Sequence, residues 1–343
     1  MRTVLGRYIL FGVLFFFLAL SVNTTETRSQ ASSSFSEPLE LPLLIGLHTS
    51  GFVGEASVLR REVQSVETFS HPHSLVGIFI DLEAENPSYD IPTALHQLQD
   101  NGYTGFVNLT SRRSAAEIAT GRIDQDIRKM AQAYLQWVED AEHPLTFMAP
   151  LPEMNGAWET YGQTPGDFKA AYHRIQAIFT DEGFTDESIR WVFAPNGWSE
   201  SEHGFERYYP GDRTTDIVAF SAYNWGYCRN AAWKQWQSPE VVFGPYVNRM
   251  RQMAPNKPIF IAQTATTSMT QSGHNPAAKN EWLKQTYRYL DNVGVAGVIY
   301  INLDKECDWA VYSAERLPAN GYSHAISQPR IQYHSPESIR ARF

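Results

Sequence analysis

The sequence is short of cysteine, of basic residues and of long apolar runs, and each shortage removes a class of protein. Cys228 and Cys307 are the only two cysteines in 343 residues. Neither has further ligands at zinc spacing, so no metal site is expected. Lysine and arginine number 28 against 37 aspartates and glutamates, a formal net charge of −9. With no Lys/Arg cluster, a nucleic-acid partner is excluded, because that partner wants a basic face. No Gly-rich phosphate turn follows the first strand-like run, which argues against a nucleotide-binding open sheet. A single apolar run, Tyr8–Val22, follows Arg2 and Arg7 and precedes a polar, Ser/Thr-rich stretch. It is short for a membrane span and fits a secretory signal, with an uncleaved anchor as the alternative. Residues 1–22 therefore read as a signal peptide or N-terminal anchor, with small residues permitting cleavage after Ser21 or Ala31, and residues 23–40 as a polar linker. No cysteine follows the run, so a lipoprotein anchor is not expected. The protein is placed outside the cytoplasm, secreted or periplasmic, and membrane-anchored only if that segment is retained. Export also permits a bridge between Cys228 and Cys307, with two buried free thiols as the other reading. Asn23 and Asn108 begin Asn-x-Ser/Thr sequons.

Aromatics are plentiful: 13% of residues, including nine Trp and 17 Tyr. Any one of them reads equally as core packing or as a stacking face for a sugar. Along the chain, apolar runs alternate with amphipathic helical stretches. Strands are expected at Leu43–Leu47, Val76–Leu82, Gly105–Leu109, Leu145–Leu151, Arg190–Ala194, Ile217–Tyr223, Pro258–Ala262 and Ala296–Ile301. Helices are expected at Ile91–Gln99, within Ser114–Glu142, and at Asp167–Asp181, Val241–Met253 and Ala277–Leu290. Strands buried on both faces and separated by helices signify a parallel sheet. About eight such units predict an α/β fold closed as a single-domain (β/α)8 TIM barrel over residues 41–316. Residues 317–343 read as a polar tail without clear elements, and a monomer is expected.

In such a barrel, function collects at the C-terminal ends of the strands. Those ends carry His48 and Thr49, then Asp81 and Glu83, then Asn108 and Arg112. Strand four delivers Glu153, Asn155, Trp158 and Tyr161, and strand five delivers Asn196 and Trp198. Strand six delivers Tyr223, Asn224 and Trp225, and strand seven Gln263 and Thr264. Strand eight ends in Asn302, Asp304, Glu306, Asp308 and Trp309. Carboxylates, amides and large aromatics at one mouth are the chemistry of a sugar-binding cleft. Hydrolysing a glycosidic bond usually takes two carboxyl groups, one as acid and one as nucleophile or base. Glu153, set among Leu151, Pro152 and Met154, is the acid candidate, because apolar surroundings raise a carboxyl pKa.

Pro-Glu-Met-Asn-Gly at 152–156, followed by Trp158, resembles the acid/base segment of glycoside hydrolase family 26. The resemblance continues through Trp-Val-Phe-Ala-Pro-Asn-Gly-Trp at 191–198, Tyr-Asn-Trp at 223–225 and Lys-Glu-Cys-Asp-Trp at 305–309. It implies a retaining β-mannanase or β-1,3-1,4-glucanase barrel without a cofactor, acting within a β-linked polysaccharide, with Glu153 as acid/base. The sugar would be held by residues drawn from His48, Asp81, Asn155, Trp158, Asn196, Trp198, Tyr223, Trp225, Asp308 and Trp309. Many mannanases of the family carry His before that Glu, where this chain has Pro152, which loosens the mannanase assignment.

The nucleophile does not carry over. The family places Glu at the end of strand seven, where this chain reads Lys257-Pro-Ile-Phe-Ile-Ala-Gln263-Thr264. An amide has the shape of a carboxylate but no charge, so it is a poor nucleophile. Glu306 and Asp308 at the strand-eight mouth are candidate substitutes, unless they shape a sugar subsite or pair with arginine. The alternative is a pseudoenzyme that binds glycan without cutting it. On this map Cys228 and Cys307 share a rim, and a bridge would clamp the loops carrying Trp225 and Trp309.

Overall fold

The computed structural model describes residues 41–49, 56–142, 144–185, 187–312 and 320–343; the expected signal segment and the whole of the expected linker lie outside them. Eight parallel strands close into a barrel. They are β1 (Leu44–His48), β2 (Leu75–Asp81), β3 (Thr104–Thr110), β4 (Thr146–Pro150), β5 (Ile189–Phe193), β6 (Ile217–Ser221), β7 (Ile259–Thr264) and β8 (Gly297–Ile301). Each strand pairs with its neighbours in sequence, and β8 closes on β1 through Leu44↔Gly297 to His48↔Ile301. The expected (β/α)8 architecture is the observed one.

Helices α1 (Ala56–Glu67), α2 (Pro87–Asp100), α3 (Ala115–Ala119), α4 (Asp124–Asp140), α5 (Pro165–Asp181), α6 (Pro239–Met253) and α7 (Pro276–Asn292) fill the connections. Four of them open on proline, at Pro87, Pro165, Pro239 and Pro276. Proline is tolerated there because the first turn has no partner for its missing N–H. Ser114 and Glu117 form a reciprocal capping box that starts α3. The β5–β6 connection is the exception: its described residues hold only 3-10 turns, Ser201–His203 and Phe205–Tyr208. Buried Phe205 and Tyr208 do there what a helix face does elsewhere, and Arg249 roofs Phe205 at 4.0 Å while pairing with Glu206 at 2.7 Å.

Period-two alternation sorts the strand residues into two cores. Outward side chains pack under the helices. Inward ones form a separate cluster including Leu44, Phe106, Phe147, Val192, Ala219, Phe260 and Ile299. Phe260 lies 5.1 Å from Phe147 and 5.7 Å from Phe343 between ring centroids. Leu41 and Phe343 pack against this inner cluster at the strands' N-terminal ends, forming the floor.

The tail departs from expectation. It carries α8 (Asn320–Ile326) and α9 (Pro336–Arg340), and Tyr322 and Ile339 are fully buried. Their apolar residues are too widely spaced to show periodicity, and the partners they need lie far away in sequence. Tyr322, for example, meets His73 (Nε2···OH 2.7 Å), which in turn meets Glu67 at 3.0 Å. Asn108, which begins one of the sequons, is 2% exposed inside the barrel, so that sequon is inaccessible in the folded chain.

Candidate active site

The turn after β4 is conformationally unusual. Leu151 and Glu153 have φ of 53° and 57°, the left-handed region that side chains with a Cβ rarely adopt. Such positions cost on the order of 1–3 kcal/mol and persist only where their surroundings fix them. Here the Leu151 N–H donates to Leu109 O at 2.7 Å and the Glu153 N–H to Ala194 O at 2.8 Å. Gly156 N–H closes the turn onto Glu153 O at 2.8 Å, and Tyr161 OH donates to Pro152 O at 3.0 Å. Neighbouring strands thus hold the Glu153 backbone in a conformation it would not choose alone.

Above that turn, Trp158 Nε1 donates to Glu153 Oε2 at 2.9 Å. Burial pushes the Glu153 carboxyl above the ordinary carboxylate range, against the opposing pull of the Ser221, Trp158 and Asn196 side chains. Asn155 and Asn196 interlock: Asn155 Nδ2 donates to Asn196 O at 2.8 Å, and Asn196 N–H to Asn155 Oδ1 at 2.9 Å. Asn196 Oδ1 then accepts the Trp198 N–H at 3.0 Å. These amides splice the β4 and β5 loops together beside the carboxyl.

Gln263 reaches the mouth by way of a bulge. Ala219 pairs with Phe260 and Phe220 with Ile261, but Ser221 pairs with Gln263, one residue out of step. The same slip appears on the β8 side, between Val298↔Ile261 and Tyr300↔Thr264. With Phe260 facing inward, simple alternation would turn Gln263 outward. The extra residue restores it to the register of inward-facing Ser221, which is what a bulge does beside a site. Since Ser221 also lies against Glu153, Glu153 and Gln263 belong to one mouth. Tyr223 OH donates to Gln263 Oε1 at 2.9 Å, and the nearby Glu153 charge helps burial to raise that phenol.

The strand-eight carboxylates are engaged locally. Asp308 accepts the Ser268 N–H at 3.0 and 3.1 Å together with the hydroxyls of Thr267 and Ser268. Burial alone would raise its pKa, but these bonds and the charge of Lys279 hold it low. Glu306 meets Lys305 at 3.0 Å and Trp309 Nε1 at 3.3 Å; burial would raise this carboxyl, but Lys305, its own backbone N–H and Trp309 together hold it low. Neither pairs with an arginine among the described residues. Asp81 does pair with Arg112, at 3.2 Å, at the ends of β2 and β3. His48 Nδ1 donates to Gly77 O at 2.8 Å, and burial holds the ring below its usual pKa, leaving neutral Nε2 as an acceptor.

Aromatics divide into two sets. Trp309 is 2% exposed and backs Tyr223 and Trp225 at centroid separations of 5.8 and 5.1 Å, so its ring offers no free stacking face. Trp158 and Trp198 are exposed. A disulfide joins Cys228 to Cys307, with Cα atoms 5.8 Å apart, and ties the β6 loop to the β8 loop. Sequence reasoning passed over Glu159, whose carboxyl is raised by burial and further by Glu153, with Tyr161 opposing. Its place between Trp158 and Tyr161 was the available signal. Among the described residues, no three His, Cys, Asp or Glu gather in a metal-binding arrangement.

The profile of Glycosyl hydrolase family 26 matches residues 3–293. No curated protein sequence matches the chain. Among solved structures, a Cellulomonas fimi endo-β-1,4-mannanase double mutant superposes with a TM-score of 0.64 at 13% identity, over 88% of this chain and 74% of that one. A Bacteroides ovatus family 26 β-mannanase gives 0.59 at 13% identity, over 85% and 90%. A Prevotella bryantii endo-β-mannanase/endo-β-glucanase gives 0.60 at 11% identity over 87% of this chain, which spans only 45% of that protein's length. At such identities these likenesses speak to the fold.

Proposed function

Because the chain belongs to Glycosyl hydrolase family 26, we propose that it is an exported glycosidase acting within a β-linked polysaccharide, a β-mannan or mixed-linkage β-glucan, with Glu153 as general acid/base. One observation carries this reading: the Glu153 carboxyl is held at the mouth by neighbouring strands and kept prone to protonation by burial. A protonated carboxyl there would protonate the leaving glycosidic oxygen, and the same group, once ionised, would deprotonate the incoming water. The mannanases that share the fold favour a mannan. The disulfide supports export, and no described helix is long and apolar enough to cross a membrane.

Gln263 favours a second reading, a barrel that binds glycan with turnover largely lost. It occupies the place of the family nucleophile, and the Asp308 and Glu306 carboxylates are engaged elsewhere. Incubation with mannan, mixed-linkage glucan and xylan, with reducing ends counted, decides between the two. Product from any of them, lost in Glu153→Gln, supports the hydrolase. Bound but uncut oligosaccharide at high protein loading supports the second reading.

A further inference from the structure

We propose that Trp198 and Trp233 together form a stacking platform for an additional sugar of the glycan chain, outside the sugar that meets Glu153. The inference rests on the glycan-binding reading above. Trp198 is 41% and Trp233 64% exposed, and their ring centroids are 5.1 Å apart with planes at 59°. Among the described residues the exposed large hydrophobics are Tyr89, Trp158, Trp198, Trp233, Val241 and Tyr333. All three tryptophans of that set stand on loops at the mouth, after β4, β5 and β6. Trp158 is engaged with Glu153, which leaves Trp198 and Trp233 as a pair of open rings with no polar task in the described structure.

Both rings are mounted on stiffened backbone. The Trp198 N–H is fixed by Asn196, which interlocks with Asn155, two positions beyond Glu153. The Trp233 loop is pinned at Cys228 by the disulfide, at Gly226↔Gln235 by an antiparallel bridge, and at Lys234, whose Nζ donates to Cys228 O and to Arg229 O. Little ordering entropy remains to be lost when a ligand arrives, so contact area converts more fully into affinity.

The occupant is a pyranose of a β-linked chain. Such a ring presents C–H bonds on its faces and hydroxyls at its rim, the surface that an indole flanked by solvent accepts. Continuity through Asn196 and Asn155 to Glu153 places it on the same chain as the sugar at the carboxyl. The buried Trp309 ring and the half-buried Trp225 ring that it backs take no part.

The test compares the Glu153→Gln protein, in which no chain is cut, with the same protein carrying Trp233→Ala or Trp233→Phe. Calorimetric titration with β-1,4-mannan hexasaccharide and trisaccharide, and with mixed-linkage glucan of both lengths, reads the affinities. Trp233→Ala should weaken the hexasaccharide about 10-fold, or about 1.4 kcal/mol, and leave the trisaccharide unchanged. Trp233→Phe should keep most of the affinity, and thermal unfolding should show both variants folded. No loss on the hexasaccharide, or equal loss on both lengths, overturns the platform while leaving the glycan-binding reading intact. A loss of self-association by Trp233→Ala with oligosaccharide binding unaltered would make the pair a contact between copies and also overturn it. Failure of the Glu153→Gln parent to bind any probe overturns both.

Discussion

The Tyr223 hydroxyl donates to Gln263 Oε1 at 2.9 Å, and this contact needs only an acceptor oxygen, not a charge. A glutamate would accept the same bond in nearly the same volume. The site would therefore keep its shape with a glutamate in place of Gln263.

Gln263→Glu should accordingly create or greatly increase β-glycanase activity, on the order of 10²-fold or more, the scale on which a missing electrostatic partner slows an enzyme. Products should keep their anomeric configuration, read by NMR during early hydrolysis. The added carboxylate should also raise the Glu153 pKa further by like-charge repulsion, moving the alkaline limb of the rate profile upward. If the variant stays inert on a glycan that the unaltered protein cleaves, Gln263 does not stand in a vacated nucleophile's place.

Glu153 makes a prediction about stability as well as rate. Burial raises its carboxyl, so the folded chain holds that proton more tightly than the unfolded chain does. Its contribution is fully present below the unfolded carboxylate pKa, about 4.3, and is lost as pH rises through the higher folded value. Glu153→Gln should therefore abolish turnover and gain in Tm relative to the unaltered protein between pH 4 and pH 8. A Tm difference independent of pH over that range would refute the raised carboxyl.

Asp308 runs the other way. Its depressed carboxyl, bonded to Thr267 and Ser268, contributes stability above its unfolded pKa, and that contribution is lost as pH falls through the lower folded value. Asp308→Asn should destabilise by about 1.5–3 kcal/mol near neutrality, the range for hydrogen bonds to a charged group. The deficit should shrink below pH 4, which urea unfolding at both pH values can check.

The Cys228–Cys307 bridge closes a separation of 79 residues, for which chain entropy suggests about 4 kcal/mol of stabilisation. Labelling under denaturing, non-reducing conditions should find no free thiol in the mature protein. Cys228→Ser with Cys307→Ser should lower the thermal midpoint and weaken glycan binding, because the Trp233 loop loses an anchor. Two labelled thiols in the unaltered protein would contradict the bridge.

Much of this was legible in the sequence, for identifiable reasons. The eight strands were readable because a barrel strand is buried on both faces and runs apolar from end to end, as in Ile217–Ser221 and Gly297–Ile301. Glu153, Asn155 and Asn196 were findable because position after a strand already fixes which end of the barrel a residue occupies. Three features depended on pairing across the chain and so escaped. The β7 bulge that turns Gln263 inward shows only when Ser221 and Tyr300 are set beside it. Asp308 looked like a rim carboxylate until Thr267 and Ser268 closed on it. The burial of Trp309 depends on Tyr223 and Trp225, which no local pattern brings to it.

The packing of Leu41 beside Phe343 on the floor decides how the molecule would be presented when tethered. The described chain begins at the closed end of the barrel, and the carboxyl, the amides and the exposed indoles stand at the opposite end. A solid support grafted at Phe343 would hold the barrel by its closed end with the cleft turned outward. A long polymer could then be threaded across the mouth without colliding with the anchoring surface. Attachment through the rim loops would forfeit that clearance.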